Sequence, residues 1–340
     1  MKRLFALLAA ALMLFAALPA PALNGAPRTD DISAPYLEGY CIGDGTGNLT
    51  AHWVGFSADA PAEVTSLSSG FTTYAAAYCR GKVYGYVYGY DSQGELRDDF
   101  YVMDARTHFT EFPEGASSGG EFVYGMAFDH TTGTMYALCN EDHPYIASVD
   151  LATGALTRVV NINLGSALGV QTFAIDDAGD FYVLTFSAVS SKLMRVNRNT
   201  GAMTQVIDTG LACFYAQSMT YDPSTRLIYW AHSAESTSSE NGLYALDIEA
   251  QTISPLGMIG DGIELMCLFT PYDPEPILGD VNFDGTVDTA DALLALRWTM
   301  SLIELDGYSL MAADVNCDGS IDTADALLIR RFALGIIDSF

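Results

Sequence analysis

Residues 36–270 repeat themselves about every 47 positions, and a period of that length restricts the fold more than any other feature of the chain. Each copy begins with two short β-rich runs around a tight turn. Met126-Ala-Phe-Asp129 leads to Thr134-Met-Tyr136, Phe173-Ala-Ile-Asp176 to Asp180-Phe-Tyr182, and Met219-Thr-Tyr-Asp222 to Leu227-Ile-Tyr229. Ala76-Ala-Tyr-Cys79 leading to Lys82-Val-Tyr84 is a looser fourth copy. A second hairpin follows each, turning at Asp104, Asp150, Asn197 and Asp247. Four short strands per unit make one propeller blade. Complete units start near residues 72, 121, 170 and 215. Residues 262–270 read as a lone first strand, and residues 36–68 as a unit that lacks one. Joined, they would make a fifth blade, and no sheet edge would be left open. The expected fold is therefore mainly β, a five-bladed β-propeller over 23–270 closed by both chain ends. A solenoid or a β-sandwich is the competing reading.

The first strands of the five units suggest what lines the propeller axis. Tyr74, Tyr124, Gln171, Gln217 and Glu264 fall at equivalent positions, 50, 47, 46 and 47 residues apart. Two residues further on stand Ala76, Met126, Phe173, Met219 and Met266. Alternate residues of a strand share a face, so a polar ring above an apolar plug is expected, forming a candidate ligand channel. Aromatic rings and amides are what a sugar site uses; a water-filled channel with satisfied groups is the plainer alternative. Glycosidic hydrolysis needs two carboxylates flanking the bond. The ring offers Glu264 alone, with Glu121 and Asp261 close by in sequence. Glu264 is thus a candidate, and no catalytic residue is assigned. No Ser-His-Asp set is visible, and His52, His108, His130, His143 and His232 share no metal-like spacing. Six cysteines occur without a CxxC pair, which reads as small buried residues with room for one disulfide.

Three prolines in residues 271–279 mark a short stiff linker. Beyond it the chain repeats at a spacing of 34. Asp280–Leu294 and Asp314–Leu328 agree at twelve of fifteen positions. Both place oxygen-bearing residues at positions 1, 3, 5, 7, 9 and 12 of a loop, the pattern by which a hard cation such as calcium collects six to eight oxygens. The first set is Asp280, Asn282, Asp284, Thr286 (through its carbonyl), Asp288 and Asp291; the second is Asp314, Asn316, Asp318, Ser320 (through its carbonyl), Asp322 and Asp325. Gly285 and Gly319 supply the left-handed turn at position 6. Helical periodicity follows each loop, in Ala292–Trp298 and Ala326–Phe332, and no amphipathic helix precedes the first. Two loop–helix units with two calcium ions are expected.

These paired loops resemble the type I dockerin family over residues 279–340, with the dockerin domain taken as 280–340. The resemblance implies a small helical module that binds calcium and docks onto cohesin modules of a scaffold protein. It implies recognition residues at loop positions 10 and 11 and on the helix after: Thr289, Ala290, Arg297 and Trp298, and Thr323, Ala324, Arg331 and Phe332. Position 12 is Asp where ordinary EF-hands carry Glu, and dockerins commonly have Asp there. The remainder of the chain resembles no particular family.

The sequence begins with Lys2-Arg3, an apolar run from Leu4 to Leu18, and Ala20-Pro21-Ala22, which reads as a signal peptide over 1–22 and so as a secreted protein, extracellular or in a cell-surface complex. The net charge of −27 repels nucleic acid and anionic lipid and argues against both as partners. Two functions stay open. One is a secreted protein that docks through its dockerin onto a scaffoldin-like complex and carries the propeller as a binding or structural module. The other is a carbohydrate-active enzyme, a glycoside hydrolase or polysaccharide lyase, in a cellulosome-like polysaccharide-degrading complex.

Overall fold

Runs such as Lys82-Val-Tyr-Gly-Tyr-Val87 and Leu227-Ile-Tyr-Trp-Ala-His232 are rich in aromatic and β-branched residues, which suit a pleated, half-buried surface. They form strands throughout the first two-thirds of the chain. The computed structural model describes residues 34–43, 52–87, 89–90, 96–140, 143–213, 216–234, 241–273, 276–283, 285–305 and 307–340. The expected signal peptide, Pro274 and Glu275 of the linker, and Asp284 lie outside the described residues.

The strands group into five four-stranded antiparallel sheets. The closing blade holds β1 (Tyr36–Gly43), β2 (His52–Ser57) and β3 (Thr65–Ser69). Blade 1 holds β4 (Thr73–Cys79), β5 (Lys82–Val87), β8 (Phe100–Asp104) and β9 (Thr110–Glu111). A short ribbon, β6 (Gly89–Tyr90) with β7 (Leu96–Arg97), is inserted between β5 and β8. Blade 2 is β10 (Val123–Asp129), β11 (Thr134–Cys139), β12 (Tyr145–Val149) and β13 (Leu156–Asn161). Blade 3 is β14 (Val170–Ile175), β15 (Phe181–Thr185), β16 (Lys192–Val196) and β17 (Met203–Asp208). Blade 4 is β18 (Ser218–Asp222), β19 (Leu227–His232), β20 (Gly242–Asp247) and β21 (Thr252–Gly257). The last strand, β22 (Glu264–Phe269), returns to pair with β1, so both ends of the β-region build the closing blade. The chain folds as the five-bladed β-propeller that its period predicts.

Turn chemistry repeats with the blades. Asp104, Asp150, Asn197 and Asp247 each accept backbone N–H bonds from residues two or three further on, closing the outer hairpin. β22 runs so close to β1 that a Cβ on Gly39 would lie 2.6 Å from the Cys267 carbonyl oxygen; only glycine fits that pairing.

The apolar cores lie between blades rather than within them. Phe100 and Tyr86 of blade 1 pack on Met135 and Tyr145 of blade 2. Tyr136 of blade 2 meets Phe173 and Phe181 of blade 3. Tyr182 of blade 3 meets Trp230 of blade 4. The closing blade is gripped on both sides: Leu37, Phe56 and Leu265 pack against blade 4, and Tyr40, Trp53 and Phe269 against blade 1. An ion pair between the part-exposed Arg198 and the buried Asp129 joins blades 2 and 3. Arg198 donates to Asp129 at 2.9 Å, to the Tyr136 hydroxyl at 2.8 Å and to the Gly179 carbonyl at 2.8 Å.

Past the propeller come α1 (Thr289–Thr299), α2 (Gly307–Ala313) and α3 (Thr323–Ala333). α1 and α3 pack together through Ala292, Ala295, Ala326 and Ile329, beside Val281, Ala313 and Val315. No helix among the described residues is long and apolar enough to cross a membrane. The segment between the domains is fastened rather than free: Asp273 accepts from the Tyr78 hydroxyl at 2.6 Å and the Arg80 backbone N–H at 2.8 Å.

Candidate metal loops, docking faces and axial channel

Both loops fold around the carboxylate at position 12. Asp291 accepts the backbone N–H groups of Val281 at 2.9 Å, Asn282 at 3.0 Å and Asp288 at 2.8 Å. Asp325 accepts those of Asn316 at 3.3 Å and Asp322 at 3.0 Å. Both carboxylates are fully buried. The position 9 residue caps the helix that follows: Asp288 accepts from Ala290 N and Asp322 from Ala324 N, each at 2.6 Å. With the return bond from position 12, each loop closes in a capping box. Gly285 and Gly319 take φ of +85° and +84°, as position 6 requires. In the second loop Asp314 also receives the N–H of Asp318 at 3.1 Å and of Gly319 at 2.9 Å. Asn316 receives Asp318 N–H at 2.9 Å, and Asp318 receives Ser320 N–H at 2.9 Å. The side chains are all carboxylate, amide or hydroxyl, without nitrogen-ring or sulfur donors at the ligating positions. A hard dication is the ion such a set fits.

The sequence-derived docking residues are mostly at the surface. Thr289, Ala290, Arg297, Thr323, Ala324 and Arg331 are exposed, and Trp298 and Phe332 are half-buried. Phe332 stacks on Phe340 with ring centroids 4.9 Å apart. Sequence reasoning overlooked a second feature of these faces. Leu293 and Leu327, Met300 and Leu334, and Leu302 and Ile336 are exposed apolar pairs, each 34 residues apart. The 34-residue spacing was the available signal, because it places an apolar side chain at the same position of each unit.

At the axis, Ala76, Met126, Phe173, Met219 and Met266 all line one cavity, together with Tyr74 and Tyr124. They close it to about 10 Å³, scarcely room for one water. Tyr74, Phe122 and Tyr124 form an aromatic group there, with Phe122 placed 5.5 Å from Tyr74 and 6.0 Å from Tyr124. Gln171, Gln217 and Glu264 are not among the lining residues. Gln171 accepts from the Cys213 thiol. Gln217 is buried, accepting from Trp230 Nε1 at 2.8 Å and donating to the Ser233 carbonyl at 2.5 Å. Glu264 sits half-buried where β22 pairs with Gly43. Glu121 interacts with Tyr145 on the second blade, and Asp261 lines a separate surface cleft of about 300 Å³ with His52 and Ser66. Among the described residues no carboxylate lines the axial cavity. No disulfide forms among the described residues: five of the cysteines are buried and Cys317 is exposed. Burial pushes the thiols of Cys139, Cys213 and Cys267 up to about 12, far from a nucleophile's range.

No curated protein matches the chain in sequence. Among solved structures, a protein from Lactobacillus plantarum covers 69% of this chain and 98% of its own at 11% identity, with a TM-score of 0.40. A protein of unknown function from Bacteroides caccae covers 65% and 72% at 10% identity, TM-score 0.36. The Dos1 propeller covers 54% and 60% at 15% identity, TM-score 0.34. Likenesses this distant carry no argument about function, and the propeller rests on its own strand order. Residues 278–334 match the family described as the dockerin type I domain. The chain thus joins a five-bladed propeller of no named family to a C-terminal dockerin type I domain.

Proposed function

We propose that this is a secreted protein whose dockerin, loaded with two calcium ions, binds a cohesin module of a scaffold protein and thereby places the propeller in a larger complex. The observation that carries this reading is the pair of loop–helix units, each wrapped around a buried position 12 aspartate, within a segment matching the dockerin family. The two units present matching surfaces. Thr289-Ala290 corresponds to Thr323-Ala324, Arg297 to Arg331, and Trp298 to Phe332. A twofold rotation would bring one set where the other had been, so cohesin can be met in either orientation.

The propeller serves in this account as a binding or structural module. Supporting that reading over the enzymatic one is the axial plug of Met126, Phe173, Met219 and Met266, beside which no described carboxylate stands. A glycosidase would need a pair facing an open cleft. Titration calorimetry against a type I cohesin tests the docking. Thr289→Asp with Ala290→Asp should weaken binding only slightly, and adding Thr323→Asp with Ala324→Asp should remove it. Loss of all binding from the first pair alone would show that one face does the work.

A further inference from the structure

We infer that the propeller carries a seat for the first calcium loop, so that the two domains move as one body once that loop is folded. Position 4 of the loop is the clue. Phe283 there takes φ of +57°, a conformation that bulky side chains rarely adopt. Its counterpart in the second loop, Cys317, takes +55°, so the loop fold itself imposes the angle. Asparagine or glycine would meet that demand more easily. A phenylalanine is therefore out of place locally and finds its reason elsewhere. The Arg80 guanidinium lies 4.0 Å from the Phe283 ring centroid, and 5.7 Å from the ring of Phe128 on the propeller.

Two further contacts fall on the same rim. A Cβ on Gly133 would stand 2.6 Å from the Phe283 carbonyl oxygen. The turn does not itself demand glycine, since Arg226 occupies the corresponding place in blade 4 at φ +59° against +64° for Gly133. The approach of the calcium loop is what excludes a side chain. Asp273 then straps the end of the propeller to the Arg80 turn through Tyr78 Oη and Arg80 N. The second loop shows the contrast, because Cys317 is exposed.

The inference rests on calcium filling the first loop, where Asn282 and Asp284 flank Phe283. Calcium fixes those two neighbours, and with them the ring that meets Arg80. The seat would set the angle at which the dockerin leaves the propeller and so present both cohesin faces at a fixed distance from the blades.

Chymotryptic cleavage of the full chain after the exposed Leu278 reads the seat directly. Two substitutions approach it from opposite sides. Phe283→Asn suits the left-handed angle and spares the loop. Arg80→Asn leaves an Asn-Gly turn, which a two-residue hairpin favours. In calcium both variants should be cut about three- to tenfold faster than the parent, the range expected for loss of one cation–π contact. Chelator should bring the parent up to the variants' rate. Equal cleavage of all three in calcium, or acceleration by Phe283→Asn alone, would overturn the seat. Calcium binding is followed in parallel by calorimetry. A parent that binds no calcium would overturn the loop assignment as well, whereas equal cleavage with calcium bound overturns the seat alone.

Discussion

The propeller and the dockerin hold themselves together by different means. Between its blades the propeller buries Trp53, Trp230, Tyr101, Phe56, Phe100, Phe173 and Phe181 almost completely. Each such side chain contributes about 1.5–3 kcal/mol, and five interfaces share the load. The dockerin's core is mostly Ala292, Ala295, Ala313 and Ala326, with Val281, Val315 and Ile329. Alanine buries little area, so a module of about 60 residues with such a centre is marginal by its apolar burial. Its missing stability is expected from the metal, whose binding energy becomes folding energy. On this account calcium should matter little to the propeller's own fold and decide that of the dockerin.

The largest effect should come from opening the propeller. Deleting residues 262–270 removes β22 and with it the buried Leu265, Cys267, Leu268 and Phe269. At about 1.5–3 kcal/mol each, the loss is about 6–12 kcal/mol, comparable to the whole stability of a typical domain. A protein ending at Gly260 should therefore fail to melt cooperatively, with or without calcium. Melting like the 23–275 fragment would show that the ring does not depend on this strand.

Next comes the dockerin's dependence on its ligands. Residues 276–340 should gain helical circular dichroism when calcium is added. Asp280→Ala with Asp314→Ala should abolish the gain, because each loop loses its position 1 carboxylate and with it the metal binding that folds the loop. Placed in the full chain, the same pair of substitutions should move the propeller's melting temperature only by the small share that the seated loop contributes.

Smaller is the ion pair between blades. Arg198→Ala leaves Asp129 buried without its partner and should cost about 2–3 kcal/mol by denaturant unfolding, discounted because the arginine is partly exposed. Burial works to raise the Asp129 pKa, but bonds from Thr131 and Thr132 and the charge of Arg198 outweigh it and hold the carboxyl below its ordinary range. A folded pKa below the unfolded value of about 3.9 adds stability above that pH. The added stability is lost as pH falls through the lowered value. The Arg198→Ala protein should accordingly show a shallower loss of stability in acid than the parent.

Smallest should be the difference between the two cohesin faces. Trp298 and Phe332 differ, and Phe332 is already stacked on Phe340. The two orientations should differ by about 1 kcal/mol, the scale on which single interface residues act. Calorimetry of Thr289→Asp/Ala290→Asp against Thr323→Asp/Ala324→Asp gives that difference as a ratio of affinities.

The blades were readable because each carries its own turn residues. Asp104, Asp150, Asn197 and Asp247 fix the outer hairpins through bonds two or three residues away, and such local bonds leave a sequence trace. The loops were readable for the same reason. The axis was less so. The pairing register shifts between Thr73 and Ala75, between Val123 and Gly125, and between Val170 and Phe173. Tyr74, Tyr124 and Gln171 sit at those irregularities, where a bulge can re-aim a side chain; Tyr74 and Tyr124 still line the cavity and Gln171 does not. Two residues later the alternation is regular, and the apolar positions from Ala76 to Met266 all reach the cavity. The Arg80–Phe283 contact left no trace because its partners lie some 200 positions apart in the chain.

The contrast between the domains is tested most directly by amide hydrogen exchange of the full chain, in calcium and in chelator. The account predicts that α1 and α3 are protected in calcium and exchange rapidly without it, while β14 to β21, away from the seat, keep nearly the same protection in both. Equal protection of α1 and α3 in calcium and in chelator would contradict a dockerin folded by its metal.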